Sequence, residues 1–208
     1  MKKILWLAVL ALAMPMATWA NSTTLVFQNT GGKMTTNGTT LTLTGSTLTS
    51  LTDLGGTTYT GSLGAVSFTT GALTSGSLGN SALFGTGGSF TIVGNGSNGI
   101  PAGTLFTGSF VDANWVGTFN PKGNKGLGNW TYVLTANVQG TLSNGSPASG
   151  VSLQFTFDVP SSKPFGSGQP VRLKNGVTTV TVPEPGTLTL FGTGLVGLAG
   201  LIRRRLSR

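Results

Sequence analysis

Val151-Ser152-Leu153-Gln154-Phe155-Thr156-Phe157-Asp158 alternates apolar and polar residues without a break. Successive side chains of a strand point to opposite faces, so this run puts Val151, Leu153, Phe155 and Phe157 on one side and offers the other to water. Trp130 to Val138 repeats the pattern, with Trp130, Tyr132, Leu134, Ala136 and Val138 together and only Val133 apolar on the opposite side. Shorter runs of the same kind occur at Thr24–Phe27, Leu41–Thr44, Val66–Thr69, Phe90–Val93, Thr104–Phe106, Ser109–Val111, Trp115–Phe119 and Val177–Val182. Nowhere between Asn21 and Val182 does an apolar period near 3.6 persist over about eleven residues, so the middle of the chain has strands to build with and no amphipathic helix. Its abundant threonine suits a pleated, half-buried surface.

Turn chemistry separates the runs. Asn37-Gly38, Asn95-Gly96, Asn98-Gly99, Asn144-Gly145 and Asn175-Gly176 are dipeptides that readily supply the positive φ of a tight hairpin. Short strands recurring at about eight to twelve residues predict an all-β, antiparallel body, a β-sandwich or jelly-roll-like fold. The first part of that body repeats Leu-Thr-Leu-Thr with little to bury, so its register is expected to be weakly fixed. The aromatic stretch from Phe84 to Phe157 should hold the better core.

The chain has no cysteine and no histidine among its 208 residues, which removes disulfides, thiolate chemistry and imidazole catalysis. Without histidine a hydroxyl nucleophile needs lysine or an amine as its base, and Ser162-Lys163 stands between Pro160 and Pro164, in loop sequence. A hydrolase of glycosides needs two carboxylates flanking the scissile bond, and Asp112 with Asp158 is the pair on offer. Each also reads as a turn former at a strand end. We therefore expect no enzyme, no cofactor and no resident metal. Trp115, Trp130 and Tyr132 are the candidates for stacking on a glycan, with an extracellular polysaccharide as the partner; burial in the core is the competing reading. The formal charge of +8 suggests nucleic acid until it is located. Much of it sits at the two ends, and the six cations of the middle, Lys33, Lys122, Lys125, Lys163, Arg172 and Lys174, are scattered along the sequence with no arginine-rich run. That argues against a nucleic-acid partner.

The ends carry the export information. Lys2 and Lys3, the apolar stretch Ile4 to Ala13, the Met14-Pro15 break and the small residues Thr18 and Ala20 make residues 1–20 a cleavable signal peptide, cut between Ala20 and Asn21. Ten apolar residues span about 15 Å as a helix, half of a hydrocarbon core, so this segment suits signal peptidase and the secretory translocon better than a permanent anchor. At the other end Pro183-Glu184-Pro185-Gly186 breaks any strand, Thr187 to Ile202 is uncharged, and Arg203-Arg204-Arg205 follows. The uncharged stretch spans about 24 Å as a helix, enough for one short transmembrane crossing with the arginines on the cytoplasmic side. Both ends inside places residues 21–182 outside.

Val182-Pro183-Glu184-Pro185, a short apolar helix and a terminal arginine cluster together resemble the PEP-CTERM sorting signal of Gram-negative, exopolysaccharide-producing bacteria. The resemblance covers 183–208 only. It implies that Pro183, Glu184 and Pro185 are read by an exosortase, a membrane enzyme, that Arg203, Arg204 and Arg205 retain the tail, and that the segment after the motif is lost during sorting. The expected destination is the membrane first, through the C-terminal helix, and then the cell surface or the extracellular matrix, in a structural or adhesive role.

Overall fold

The computed structural model describes residues 23–166 and 171–182; the segment expected to be a signal peptide, with its expected Ala20–Asn21 cleavage site, and the tail with Pro183, Glu184, Pro185, Arg203, Arg204 and Arg205, lie outside the described residues. Among the described residues the chain forms β1 (Thr23–Thr30), β2 (Lys33–Thr36), β3 (Leu41–Thr52), β4 (Thr58–Thr69), β5 (Leu73–Gly76), β6 (Ser81–Phe84), β7 (Gly87–Asn95), β8 (Ala102–Asn120), β9 (Asn129–Leu142), β10 (Pro147–Val159) and β11 (Val171–Val182). Residues Thr24–Val182 are one compact unit. The all-β expectation holds, but the body is a closed antiparallel barrel, which replaces the expected sandwich or jelly roll. Neighbours run β8-β7-β4-β3-β1-β11-β10-β9, and β9 pairs back onto β8. β2 prolongs β1, since Thr30 pairs with Thr47 of β3 and Lys33 with Thr44 of the same strand. β8 is long enough to carry β7 on its first half and the β5–β6 hairpin on its second, while β9 follows it from Phe106 to Asn120.

Closure needs strands that coil, and bulges supply the coiling. The register slips between Phe110 and Asp112 of β8, between Thr156 and Phe157 of β10, and between Gln28 and Asn29 of β1. The bulge in β8 also switches which parity faces inward, from Phe106 and Phe110 to Ala113 and Trp115. That switch is why the nineteen-residue strand reads in the sequence with Trp115–Phe119 as a run apart from Thr104–Phe106 and Ser109–Val111.

Apolar faces point inward. Phe68, Phe90, Phe110 and Phe155 come from four different strands and meet across the lumen, with ring centroids 5.2 Å apart for Phe68–Phe155, 5.7 Å for Phe68–Phe110 and 6.4 Å for Phe90–Phe110. The outward positions of these strands are mostly threonine, serine, asparagine and glutamine. This is the reverse of a lipid-spanning barrel, whose apolar band faces out. The leucine-threonine strand β3 is not a weak element: Leu41, Leu43, Leu48 and Leu51 are buried, and β3 is paired to β1 and β2 on one side and β4 on the other.

Most of the Asn-Gly dipeptides do form turns. In the β2–β3 turn the Asn37 Oδ1 accepts from the Thr39 and Thr40 amides at 3.0 and 2.8 Å, with Gly38 at φ 94°. Asn175-Gly176 is the exception. It lies within β11, where Gly176 is paired with Phe155, and a β-carbon there would collide with the Phe155 ring and the Asn29 Oδ1. The glycine makes room for an aromatic that reaches across the barrel.

The strand directions give the barrel two distinct poles. β1 and β2 both run antiparallel to β3, and β11 runs antiparallel to β2 and neighbours β1. The start of β1 and the end of β11 therefore sit side by side at one pole, with the turns at 53–57, 96–101 and 143–146. The other pole carries the turns at 37–40, 77–80 and 121–128 and the β10–β11 loop. The Thr30 hydroxyl donates to the Lys174 carbonyl at 2.9 Å, fixing the seam between first and last strands toward that second pole.

Truncating Phe155 to alanine is expected to cost about 3–5 kcal/mol, the range for a buried phenylalanine that leaves a cavity. Gly176→Ala should cost about 1–3 kcal/mol through overpacking against the same ring. Urea denaturation of both variants checks the pair; wild-type stability in either would contradict the packing described.

Candidate functional site

The three aromatic candidates do not form an exposed platform. Trp115 and Tyr132 are fully buried, so they are corrected from glycan contacts to core residues. Their rings stack at 4.7 Å and 11°, flanked by Phe157 and Phe165. Both polar tips are spent on holding loops at the second pole. The Trp115 indole N–H donates to the Leu78 carbonyl at 2.9 Å. The Tyr132 hydroxyl donates to the Gly79 carbonyl at 3.0 Å and accepts the Phe165 amide at 2.8 Å. Trp130 is half-buried, stacks on Tyr132 at 5.7 Å, and donates to the Ser162 carbonyl at 3.2 Å. Only its edge, beside the half-exposed Phe119 at 5.2 Å, reaches the surface.

Asp112 and Asp158 are not brought together. Asp112 pairs with Asn137 and Asp158 with Thr131, six positions apart on β9, which is about 20 Å of strand. Glycoside hydrolysis works with carboxylates about 5 to 9.5 Å apart. Each aspartate has its own partner: Asn137 Nδ2 donates to both Asp112 oxygens at 2.9 and 3.2 Å, and Asp158 accepts from Thr131 at 3.1 Å and faces Lys174 at 3.5 Å. Among the described residues no three His, Cys, Asp or Glu side chains cluster to hold a metal.

What the closed wall does assemble is a groove of about 410 Å³ on its outer side, over β8, β9, β10 and β11, lined by polar and apolar groups together. Its lining comes as two cross-strand rows. One runs Asp112, Asn137, Ser152 and Thr179, and the next Asn114, Thr135, Gln154 and Val177. Rows are two residues apart along each strand, about 7 Å, and strands about 4.8 Å apart. The groove thus displays amides, hydroxyls, one carboxylate and the Val177 side chain in a regular array. The alternation in the sequence already marks Ser152, Gln154, Thr135 and Asn137 as outward. It carries no signal that β8 and β11 bring their own outward residues alongside.

Residues 181–205 match the PEP-CTERM protein-sorting motif. No curated protein and no solved structure matches the chain. The motif defines the class: an exported, cell-surface protein that an exosortase processes. The match begins inside the barrel, since Thr181 and Val182 are the last two residues of β11. In the sequence, Pro183 of the motif therefore follows directly on the last residue of the seam strand.

Burial raises the Tyr132 phenol above its ordinary value of 10.0, with the Phe165 N–H pulling in the other direction. A raised tyrosine favours the neutral form in the fold, so this group leaves stability unchanged below pH 10 and erodes it as pH climbs past the unfolded value. Tyr132→Phe strands the Gly79 carbonyl and the Phe165 amide and should cost about 1–3 kcal/mol at neutral pH. It should also flatten the alkaline fall in stability. Chemical denaturation from pH 7 to 11 on both proteins checks both effects.

Proposed function

We propose that the barrel is a structural or adhesive component of the cell surface or exopolysaccharide matrix, delivered by its C-terminal signal, and that it is not an enzyme. The observation that carries this reading is the sorting motif continuous with the last strand. A low-charge exterior rich in hydroxyls and amides over an apolar, aromatic-filled interior supports it: the body presents a hydrated surface and keeps its aromatics for stability. The distance between Asp112 and Asp158 supports the non-enzymatic reading. In this scheme the signal peptide is removed after Ala20, the C-terminal helix holds the chain in the membrane with Arg203, Arg204 and Arg205 on the cytoplasmic side, and the exosortase reads Pro183, Glu184 and Pro185.

A second reading, carbohydrate binding, moves from the aromatics to the groove. Two rows at sheet spacing, polar at every position but Val177, suit a polyhydroxylated chain lying across the strands, because each polar group can exchange a water hydrogen bond for one to a sugar hydroxyl.

Intact-mass measurement of the surface-released protein tests the sorting reading: the mature form should lack both the signal peptide and everything after the proline motif. Replacing Pro183 and Glu184 by alanine should leave the uncut form in the membrane fraction. A released protein that keeps its whole tail would overturn it. For the second reading, Asn137→Ala combined with Gln154→Ala should abolish retardation of the protein in gels containing neutral polysaccharide; unchanged retardation would exclude the groove.

A further inference from the structure

The six cations that are dispersed in the sequence are gathered in space. Lys33 is on β2, Arg172 and Lys174 open β11, Lys122 and Lys125 are in the β8–β9 turn, and Lys163 is in the β10–β11 loop, all in the half of the barrel away from the start of β1 and the end of β11. All six are exposed apart from the contact of Lys174 with Asp158. Asp158 is the one described acid in that half, which leaves five unopposed positive charges there. The other two described acids, Asp53 and Asp112, lie toward the first pole and in the middle of the wall. A body of small net charge is thus strongly polarised along its axis.

We propose that this cationic pole is a binding surface for an acidic, carboxylate-bearing polysaccharide. The proposal rests on the surface or matrix reading above and names the partner. Two features of the pole favour a ligand over mere solvation. Lys33 and Arg172 are paired directly across adjacent strands, an arrangement of like charges that costs stability and that a solvated surface has no need to keep. The two loops that carry Lys122, Lys125 and Lys163 are fastened together, Asn124 Nδ2 donating to the Pro160 carbonyl at 3.2 Å and Trp130 to Ser162, so their cations are held on a fixed frame. The cross-strand row Lys33, Arg172, Asp158, Thr131, Thr118 then runs into the turn that holds Lys122 and Lys125. Lys33 and Arg172 at one end of that row and Lys122 and Lys125 beyond its other end give two cationic groups that carboxylates repeating along a glycan can bridge.

The side-chain chemistry selects among polyanions. Five of the six cations are lysines, compact point charges, and the guanidinium fork that grips phosphate bidentately is present once. Export to the cell surface places the pole among glycans and not nucleic acid. Leu127 is the one strongly exposed aliphatic side chain of the β8–β9 turn, at 72 %, too little apolar surface to anchor a bilayer contact by itself. The half-exposed Phe119 and the edge of Trp130 lie beside the lysines and can pack on a sugar ring.

The test measures binding of the full-length protein to polygalacturonate, with dextran, duplex DNA and phosphatidylglycerol vesicles as parallel probes. Binding to polygalacturonate is expected to exceed any to dextran and, unlike it, to weaken steeply between about 50 and 200 mM salt as counterions compete. Lys33→Gln with Arg172→Gln should weaken it about tenfold, and Lys122→Gln with Lys125→Gln and Lys163→Gln by a similar factor. The first double variant removes one like-charge pair and one opposite-charge neighbour, Arg172 beside Asp158, so its melting temperature should stay near that of wild type and a loss of binding reads as loss of charge. Undiminished binding in both variants, absence of binding to polygalacturonate, or tighter binding to DNA or vesicles at equal ionic strength would each overturn the proposal. Correct tail removal with no polygalacturonate binding sinks this inference alone; a retained tail with normal binding sinks the sorting reading and leaves the cationic pole intact.

Discussion

The contact on which the barrel depends is the meeting of Phe68, Phe90, Phe110 and Phe155 across its lumen. A closed sheet with an unfilled interior would leave a gap at its axis and its inward side chains without partners on one side. Four rings from β4, β7, β8 and β10 bridge that gap. The rest of the wall is arranged around them: Gly176 yields to Phe155, Gly108 sits between Phe106 and Phe110, and the bulge after Phe110 lets β8 continue inward-facing with Trp115 at the next level. Above the phenylalanines, Trp115, Tyr132, Phe157 and Phe165 form a second layer that closes one end of the barrel, with the loop residue Phe165 folded in as a lid.

That second layer separates the two jobs an aromatic can do. Trp115 and Tyr132 are large, partly polar side chains, and on an exposed face they would suit a sugar. Here their N–H and O–H groups are directed at the backbone of the β5–β6 turn and the β10–β11 loop. Their hydrogen-bonding capacity goes into holding the pole that carries the cations, and the surface groups left to meet a partner are amides, hydroxyls and lysines. The molecule thus keeps its apolar weight inside and its recognition chemistry outside.

The period of two in the sequence made strands β9 and β10 legible residue by residue, and it assigned the inward face of each correctly. It failed at β8, where a bulge reverses the parity, and at Asn175-Gly176, where glycine answers a ring on the neighbouring strand and makes no turn. The distinction between an open sandwich and a closed barrel depends on which strands become neighbours, and local pattern carries no record of that. The same blindness affected the site. Asn137 and Gln154 were recognisably outward, yet the groove exists only because β8 and β11 flank β9 and β10. Lys33 and Arg172 are far apart in sequence and adjacent in the sheet. The sorting tail was legible for the opposite reason: its break, apolar stretch and basic stop are contiguous.

The pairing of β1 with β11 has a bearing on when this protein can fold. The first strand of the body finds its seam partner only after nearly the whole body has followed it, and such long-range closure is slow because the loop entropy is lost before the contact is gained. The order of closure is therefore written into the connectivity: the barrel locks last at β11, the strand whose end begins the sorting motif.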